Sequence, residues 1–168
     1  PEPLSMQFLE VNVRTYVHHG ETPGIYFLSL DANSRLATWG ARTFWSLPYH
    51  HARMQISAGE EETTYSIQRS RSGPHLRARY RVGEMLGASE PGTLEHFLLE
   101  RYWLFTLHRG QLCKAQVHHR PYVAEQATLL EYEGQLGAAA GLPQLGGDPP
   151  LVHFVRGVDA EVFRLQTA

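Results

Sequence analysis

Glu10, Asn12 and Arg14 alternate along the segment from Phe8 to Val17. In a strand that spacing puts a carboxylate, an amide and a guanidinium on one face, with Tyr16 beyond them. Leu9, Val11, Val13, Thr15 and Val17 take the other face. A guanidinium so placed can clamp a ligand carboxylate through two parallel hydrogen bonds, and a neighbouring carboxylate can act as acid or base. The same alternation describes a strand with one solvated face, which antiparallel sheets commonly have, and periodicity alone favours that reading.

Histidine is the second source of chemistry. The chain has 10, and His18-His19, His50-His51 and His118-His119 are adjacent pairs. Neighbours on a strand point to opposite faces, so such a pair does not chelate one ion. With no HExxH pattern and no Cys/His ligand spacing, no metal site is expected. One histidine of each strand pair can still face a cavity as a proton donor or acceptor.

Amine and thiol chemistry are narrowly limited. Of 15 basic residues only Lys114 is a lysine, a bias of the kind a GC-rich bacterial genome produces. Strand phase groups Lys114 with Gln116 and His118. Cys113 faces the other way and reads as a small buried thiol. A single cysteine excludes an intrachain disulfide framework and multi-cysteine zinc patterns. No nucleophile elbow, phosphate loop or dinucleotide fingerprint is present, and no cofactor is expected.

Arg77, Arg79 and Arg81 alternate with Leu76, Ala78, Tyr80 and Val82, near Arg69 and Arg71. A phosphate-binding stripe is one reading. Glu60, Glu61 and Glu62 lie close by, and no exposed aromatics interleave with the arginines. A solvated, ion-paired sheet face is therefore preferred. A formal net charge of −2 adds no field that would attract nucleic acid or an acidic membrane.

The elements that must position these groups are mostly strands. Turn residues from His18 to Gly24 join the first strand to the apolar run Ile25 to Leu30, which suggests a hairpin. A helix follows, capped by Asp31 or Asn33 and ended by Pro48, with Leu36, Trp39, Gly40, Thr43, Phe44 and Leu47 recurring near helical spacing. Strands are predicted near 49–57, 63–70 and 75–82, and a loop over 84–92. Thr93 caps a short helix from Leu94 to Glu100 or Arg101. Strands over 102–107, 111–119 and 127–132 come next, then a small helix over 135–140. Leu142 to Pro150 reads as a connector, and Val152 to Leu165 as a terminal strand or hairpin. The fold class is α+β, a large curved mostly antiparallel sheet with two or three short helices.

At 168 residues the chain fits a single domain, 1–168. There is no signal peptide and no apolar run long enough to span a bilayer, so the expectation is a cytoplasmic protein with no membrane partner. Exposed strand edges leave a homodimer open.

Several segments, in consistent order, resemble the bacterial YqjF-like family of unknown function. They are Leu9 to Val17, Tyr26 to Asp31, Leu47 to Met54, Leu76 to Tyr80, Thr93 to Tyr102 and Val117 to His119. Members usually carry more chain before the first of these, which reads Pro1 as an internal start lacking N-terminal strands. The family is distantly similar to acetoacetate decarboxylase. That likeness implies a cone-like antiparallel sheet around a cavity, and a lysine that forms a Schiff base beside a second lysine just after a helix. In that enzyme the second amine depresses the pKa of the first and so makes it nucleophilic. The matching segment here is Leu47-Pro48-Tyr49-His50, so Tyr49 and His50 stand where the lysines would be, and neither forms an imine. Glu10 resembles the decarboxylase's active-site glutamate.

The likeness tips the Glu10 stripe towards a cavity lining. Glu10, Tyr49 and His50 become the expected acid–base groups. Arg14, Asn12 and His118 become the expected contacts for a small-molecule ligand, a carbonyl or carboxylate compound. Two alternatives stand beside this one. A non-catalytic interaction module predicts a cavity filled by aromatics such as Tyr26, Trp103 and Phe105. Decarboxylase- or aldolase-like chemistry through Lys114 predicts an inward-facing amine.

Overall fold

A computed structural model describes residues 6–143, 147, 149 and 151–168. Pro1 and most of the expected 142–150 connector lie outside the described residues. The first hairpin pairs β1 (Glu10–His19) with β2 (Thr22–Ala32) in antiparallel register, with a bulge that leaves Leu28 unpaired between Ser29 and Phe27. The helix α1 (Arg35–Trp45) leads to β3 (Tyr49–His51), which pairs in parallel with the end of β2. Next come β4 (Arg53–Ala58), β5 (Thr63–Gln68), β6 (His75–Ala88), α2 (Leu94–Leu99), β7 (Trp103–His108), β8 (Gln111–His119) and β9 (Val123–Gly134). The described chain closes with α3 (Leu136–Ala139), β10 (His153–Phe154), β11 (Ala160–Val162) and β12 (Gln166–Thr167).

The strands form two sheets. One has seven strands along the path β1-β2-β7-β8-β11, with β3 attached to β2 and β12 to β8; the other has five, in the order β10-β9-β6-β5-β4. Pairing is antiparallel throughout except where β2 meets β3 and β7. The expected α+β class with a curved, mostly antiparallel sheet is what the chain forms. No helix among the described residues is long and apolar enough to cross a membrane.

Three local expectations differ from the structure. The cap of α1 is Ser34, whose hydroxyl accepts from the Ala37 amide; Asn33 instead accepts from the Leu9 amide, and Asp31 lies inside β2. The apolar stripe on α1 faces outward: Leu36, Trp39 and Phe44 are exposed, whereas Ala37 and Thr38 are buried and Ala41 and Trp45 pack on the core. Small residues let the helix sit close to the sheet, and that sets its rotation. The predicted 84–92 loop is strand as far as Ala88, because β9 offers it a partner across bulges near Met85.

The five-stranded sheet has one charged and one apolar face. Arg79 pairs with Glu62 and Glu131, and Arg81 with Glu62 and Glu61, so the arginine stripe is an ion-paired outer face. Arg69 leaves this group. Its Nε and Nη2 donate to the two oxygens of Asp31, at 2.6 and 2.9 Å, and Nη2 also donates to Ser29 Oγ. Asp31 is 1 % exposed, and this fork joins β2 of one sheet to the end of β5 in the other.

Removing one partner of a buried pair strands the other charge. Asp31→Ala is expected to lower unfolding free energy by about 3–5 kcal/mol in urea titration. A loss of under about 1 kcal/mol, the range of exposed pairs, would show the fork to be a surface contact.

Candidate functional site

The register across β1 and β2 decides where the polar stripe points. Glu10 lies opposite Ala32, Asn12 opposite Leu30, Arg14 opposite Phe27 and Tyr16 opposite Ile25. Residues directly opposite share a face. Ala32, Leu30 and Ile25 belong to the buried core of the larger sheet, with Leu47, Tyr49, Leu104 and Ala115. The stripe is therefore on the inner face. Val11 and Val13, on the other face of β1, pack against Ala52, Ile67 and Leu136. Both faces of β1 are covered, and the solvated-face reading does not apply.

Glu10 and Tyr49 meet on this inner face. The Tyr49 hydroxyl donates to Glu10 Oε2, and Asn12 Nδ2 donates weakly to Oε1 at 3.4 Å. Tyr65 of β5 donates to the Glu10 backbone carbonyl at 3.2 Å. Tyr49 is held by its register opposite Leu30, directly after the turn that ends α1. Burial pushes the Glu10 carboxyl above its ordinary value, against the opposing pull of Tyr49, Asn12 and Arg14. Burial, and then the Glu10 charge, push the Tyr49 phenol far up, so it acts as a donor.

Arg14 is partly committed to structure. Its Nη2 donates to the Leu98 carbonyl at 3.1 Å and to Tyr16 Oη at 3.3 Å, and Tyr16 itself donates to that carbonyl at 2.9 Å. These bonds satisfy the open C-terminal end of α2. Phe97 packs on the Tyr16 ring at 5.0 Å.

Beside Arg14 lies a cluster that no sequence pattern singles out. The buried Glu100 accepts from the Tyr102 hydroxyl and from the Tyr122 amide. His119, also buried, stacks between Tyr102 and Tyr122, at centroid distances of 4.7 and 4.3 Å. Burial raises the Tyr122 phenol; Arg14 opposes the rise, and Glu100 and Glu10 add to it. These groups come from distant strands and loops with no motif to link them. The one signal in the sequence is the His118-His119 pair, of which one member has to face inward.

That one is not His118. His118 is exposed, opposite Glu161 on β11, and does not reach the site as expected. His50 departs from expectation in the same way. It is the strand neighbour of Tyr49, so it turns to the opposite face, opposite Asp31 and near the Asp31–Arg69 fork. Burial, and then Arg69, lower its pKa. Lys114 lies opposite Phe105, whereas Ala115 lies opposite Leu104, which lies opposite Ile25. Lys114 is thus on the face away from Glu10, with its ammonium 5.2 Å from the Trp103 ring. Tyr26, Trp103 and Phe105 share that opposite face, where Phe105 is buried, and do not fill the face that carries Glu10. Among the described residues, no three of His, Cys, Asp and Glu are grouped to hold a metal ion.

Residues 1–159 match the family DUF2071, described as an uncharacterized conserved protein. The uncharacterized protein YqjF of Bacillus subtilis is 35 % identical over 158 residues, covering 94 % of this chain and 65 % of its own length. The chain thus spans just under two thirds of that relative. Among solved structures, the acetoacetate decarboxylase of Legionella pneumophila superposes with a TM-score of 0.61 at 13 % identity, over 96 % of this chain and 66 % of that one. An acetoacetate decarboxylase-like enzyme from Sphingomonas wittichii gives a TM-score of 0.49 at 14 % identity, over 94 % and 66 % of the two chains. The likeness to the Legionella protein is one of fold, and it bears out the fold read from the sequence segments.

Folded Glu10 holds its proton more tightly than the unfolded chain does. Its contribution to stability is full below the ordinary carboxylate range and is lost as pH rises through the raised folded value. Relative to wild type, Glu10→Gln should gain stability as pH rises across that window, read from urea midpoints. Tyr49→Phe removes the largest opposing bond and should push the Glu10 carboxyl higher still, read by carbon NMR of the side chain. A Glu10 that titrates at its ordinary value would overturn both expectations.

Proposed function

The chain belongs to the DUF2071 family of uncharacterized conserved proteins, and on that footing we propose that it binds a small carbonyl or carboxylate compound on the inner face of its sheet, where Glu10 and Tyr49 exchange a proton with it. The observation that carries this reading is the Tyr49 hydrogen bond to Glu10 within a buried setting. A carboxyl raised by burial is better matched to proton transfer near neutral pH than an ordinary one. Tyr49 supplies a hydroxyl donor that can turn from Glu10 to a ligand oxygen. Asn12 adds an amide, and Arg14 adds a positive charge whose Nε and Nη1 have no protein partner among the described residues.

The reaction class follows from what the pair lacks. A phenol and a carboxyl form no imine, so they supply no electron sink for loss of carbon dioxide. They suit proton removal or delivery next to a carbonyl. Lys114, the chain's one side-chain amine, faces away from the pair. The exposed Leu36, Trp39 and Phe44 on α1 favour a second reading, a non-catalytic interaction module. In that case the pair would be a structural hydrogen bond.

The two readings separate in one measurement. Exchange of the protons next to the carbonyl of simple ketones and keto acids is followed by proton NMR in deuterium oxide. The protein should accelerate exchange, and Glu10→Gln should reduce the rate by roughly 100- to 10,000-fold, as expected for loss of an acid–base group. Lys114→Met should leave the rate unchanged, and borohydride should trap no adduct. Exchange no faster than in buffer, together with no binding by any compound of the panel, would favour the interaction module.

A further inference from the structure

The face of the larger sheet that carries Glu10 reaches as far as the stacked rings around His119. Arg14 and Tyr16 lie opposite Phe27 and Ile25, Ile25 lies opposite Leu104, and Leu104 opposite Ala115. His119 stands four residues beyond Ala115 on β8, so it shares that face. The Tyr122 ring lies flat on it, at 4.3 Å and 8°. Arg14 and Tyr122, far apart in sequence, dock on one short stretch of chain. Arg14 Nη2 donates to the Leu98 carbonyl, and the Tyr122 amide donates to the Glu100 carboxylate two residues on. The stack thus fixes the Tyr122 ring, and the amide bond fixes its backbone. The charges of Arg14, Glu100 and Glu10 all act on the Tyr122 phenol, so its oxygen stands among them.

That oxygen has no hydrogen-bond partner among the described residues, and neither have Nε and Nη1 of Arg14. Both residues are half-buried. Among the same residues no buried side-chain nitrogen or oxygen lacks a partner. The Tyr122 hydroxyl and the open N–H groups of Arg14 therefore reach solvent. Their neighbours are spent: Glu100 accepts from Tyr102 and Tyr122, and Tyr16 donates to Leu98. Rigidly held donors that no protein atom satisfies are the parts of a site that a ligand completes.

We propose that Tyr122 is a ligand-contacting residue, its hydroxyl and the open N–H groups of Arg14 together holding an anionic group of the compound that meets Glu10 and Tyr49. The inference rests on the reading of that pair as a binding site. Burial keeps the Tyr122 phenol protonated, so it offers a hydrogen to an anion. Arg14 offers charge-assisted bonds. Arg101 adds a second guanidinium, 4.2 Å over the Phe97 ring that packs on Tyr16. Against these stand Glu100, already bonded twice, and Glu10, whose burial favours its protonated form. The balance favours a negative group on the ligand.

Calorimetric titration of the whole chain with 2-oxobutanoate and levulinate, and with the methyl ester of each, tests this. The acids should bind more tightly than their esters. Tyr122→Phe keeps the ring and its stack on His119 and removes only the hydroxyl. It should weaken the acids by roughly 10- to 100-fold, the effect of one hydrogen bond to a charged group, and leave the esters nearly unchanged. Arg14→Gln should abolish the preference for the acids. Thermal melting checks that each variant keeps its fold. Equal weakening of acids and esters by Tyr122→Phe would make Tyr122 a structural residue and overturn the proposal. Acids indifferent to Tyr122→Phe yet weakened by Glu10→Gln would overturn it while leaving the Glu10–Tyr49 site standing. Failure of all four compounds to bind removes both.

Discussion

The Asp31–Arg69 fork is the constraint on which the rest of the arrangement depends. A carboxylate that is 1 % exposed carries a large desolvation cost, offset only by the two parallel hydrogen bonds of the guanidinium and by Ser29. Its position explains its reach. Asp31 lies opposite Val11 on β1 and opposite His50 on β3, so it adjoins both residues that bear the central hydrogen bond, Glu10 and Tyr49. Arg69 directly follows β5, which carries Tyr65. One ion pair thus holds together the three strands whose side chains or backbone meet at Glu10.

The inner face then owes its character to parity. Along β1, alternate residues face two different interiors, and neither is water. A polar stripe that would cost nothing on a solvated sheet is instead set among Leu30, Ala32 and Tyr49. Each of its members finds a partner: Tyr49 for Glu10, the Glu10 carboxyl for Asn12, and the open end of α2 for Arg14 and Tyr16. Among the described residues no buried side-chain nitrogen or oxygen is left without a hydrogen bond. The same parity turns His50, Lys114 and His118 away, although each sits within one residue of an inward position.

Where local pattern and structure part, a partner surface overrides the pattern. The α1 stripe of Leu36, Trp39 and Phe44 has helical spacing, but Ala37 and Ala41 allow a closer approach to the sheet, and the bulky side chains are left outside. The 84–92 segment carries turn residues, yet it is drawn into strand by β9 as far as Ala88. The arginine stripe is the ion-paired face that its spacing predicts, apart from Arg69, whose pull to Asp31 crosses between the two sheets.

The sequence by itself determined most of the element types, the α+β class, the family resemblance and the shortage of amine chemistry, because composition, short-range periodicity and segment likeness are properties of the chain alone. It also singled out Glu10 and Tyr49, which the fold brings into hydrogen-bond contact. Only the tertiary structure decided which member of each adjacent pair faces inward, and that the Glu10 stripe is lined by core. A strand's two faces are equivalent until another layer covers one of them. The choice between Tyr49 and His50, and between His119 and His118, was therefore made by the packing of two sheets, a long-range event with no local signature.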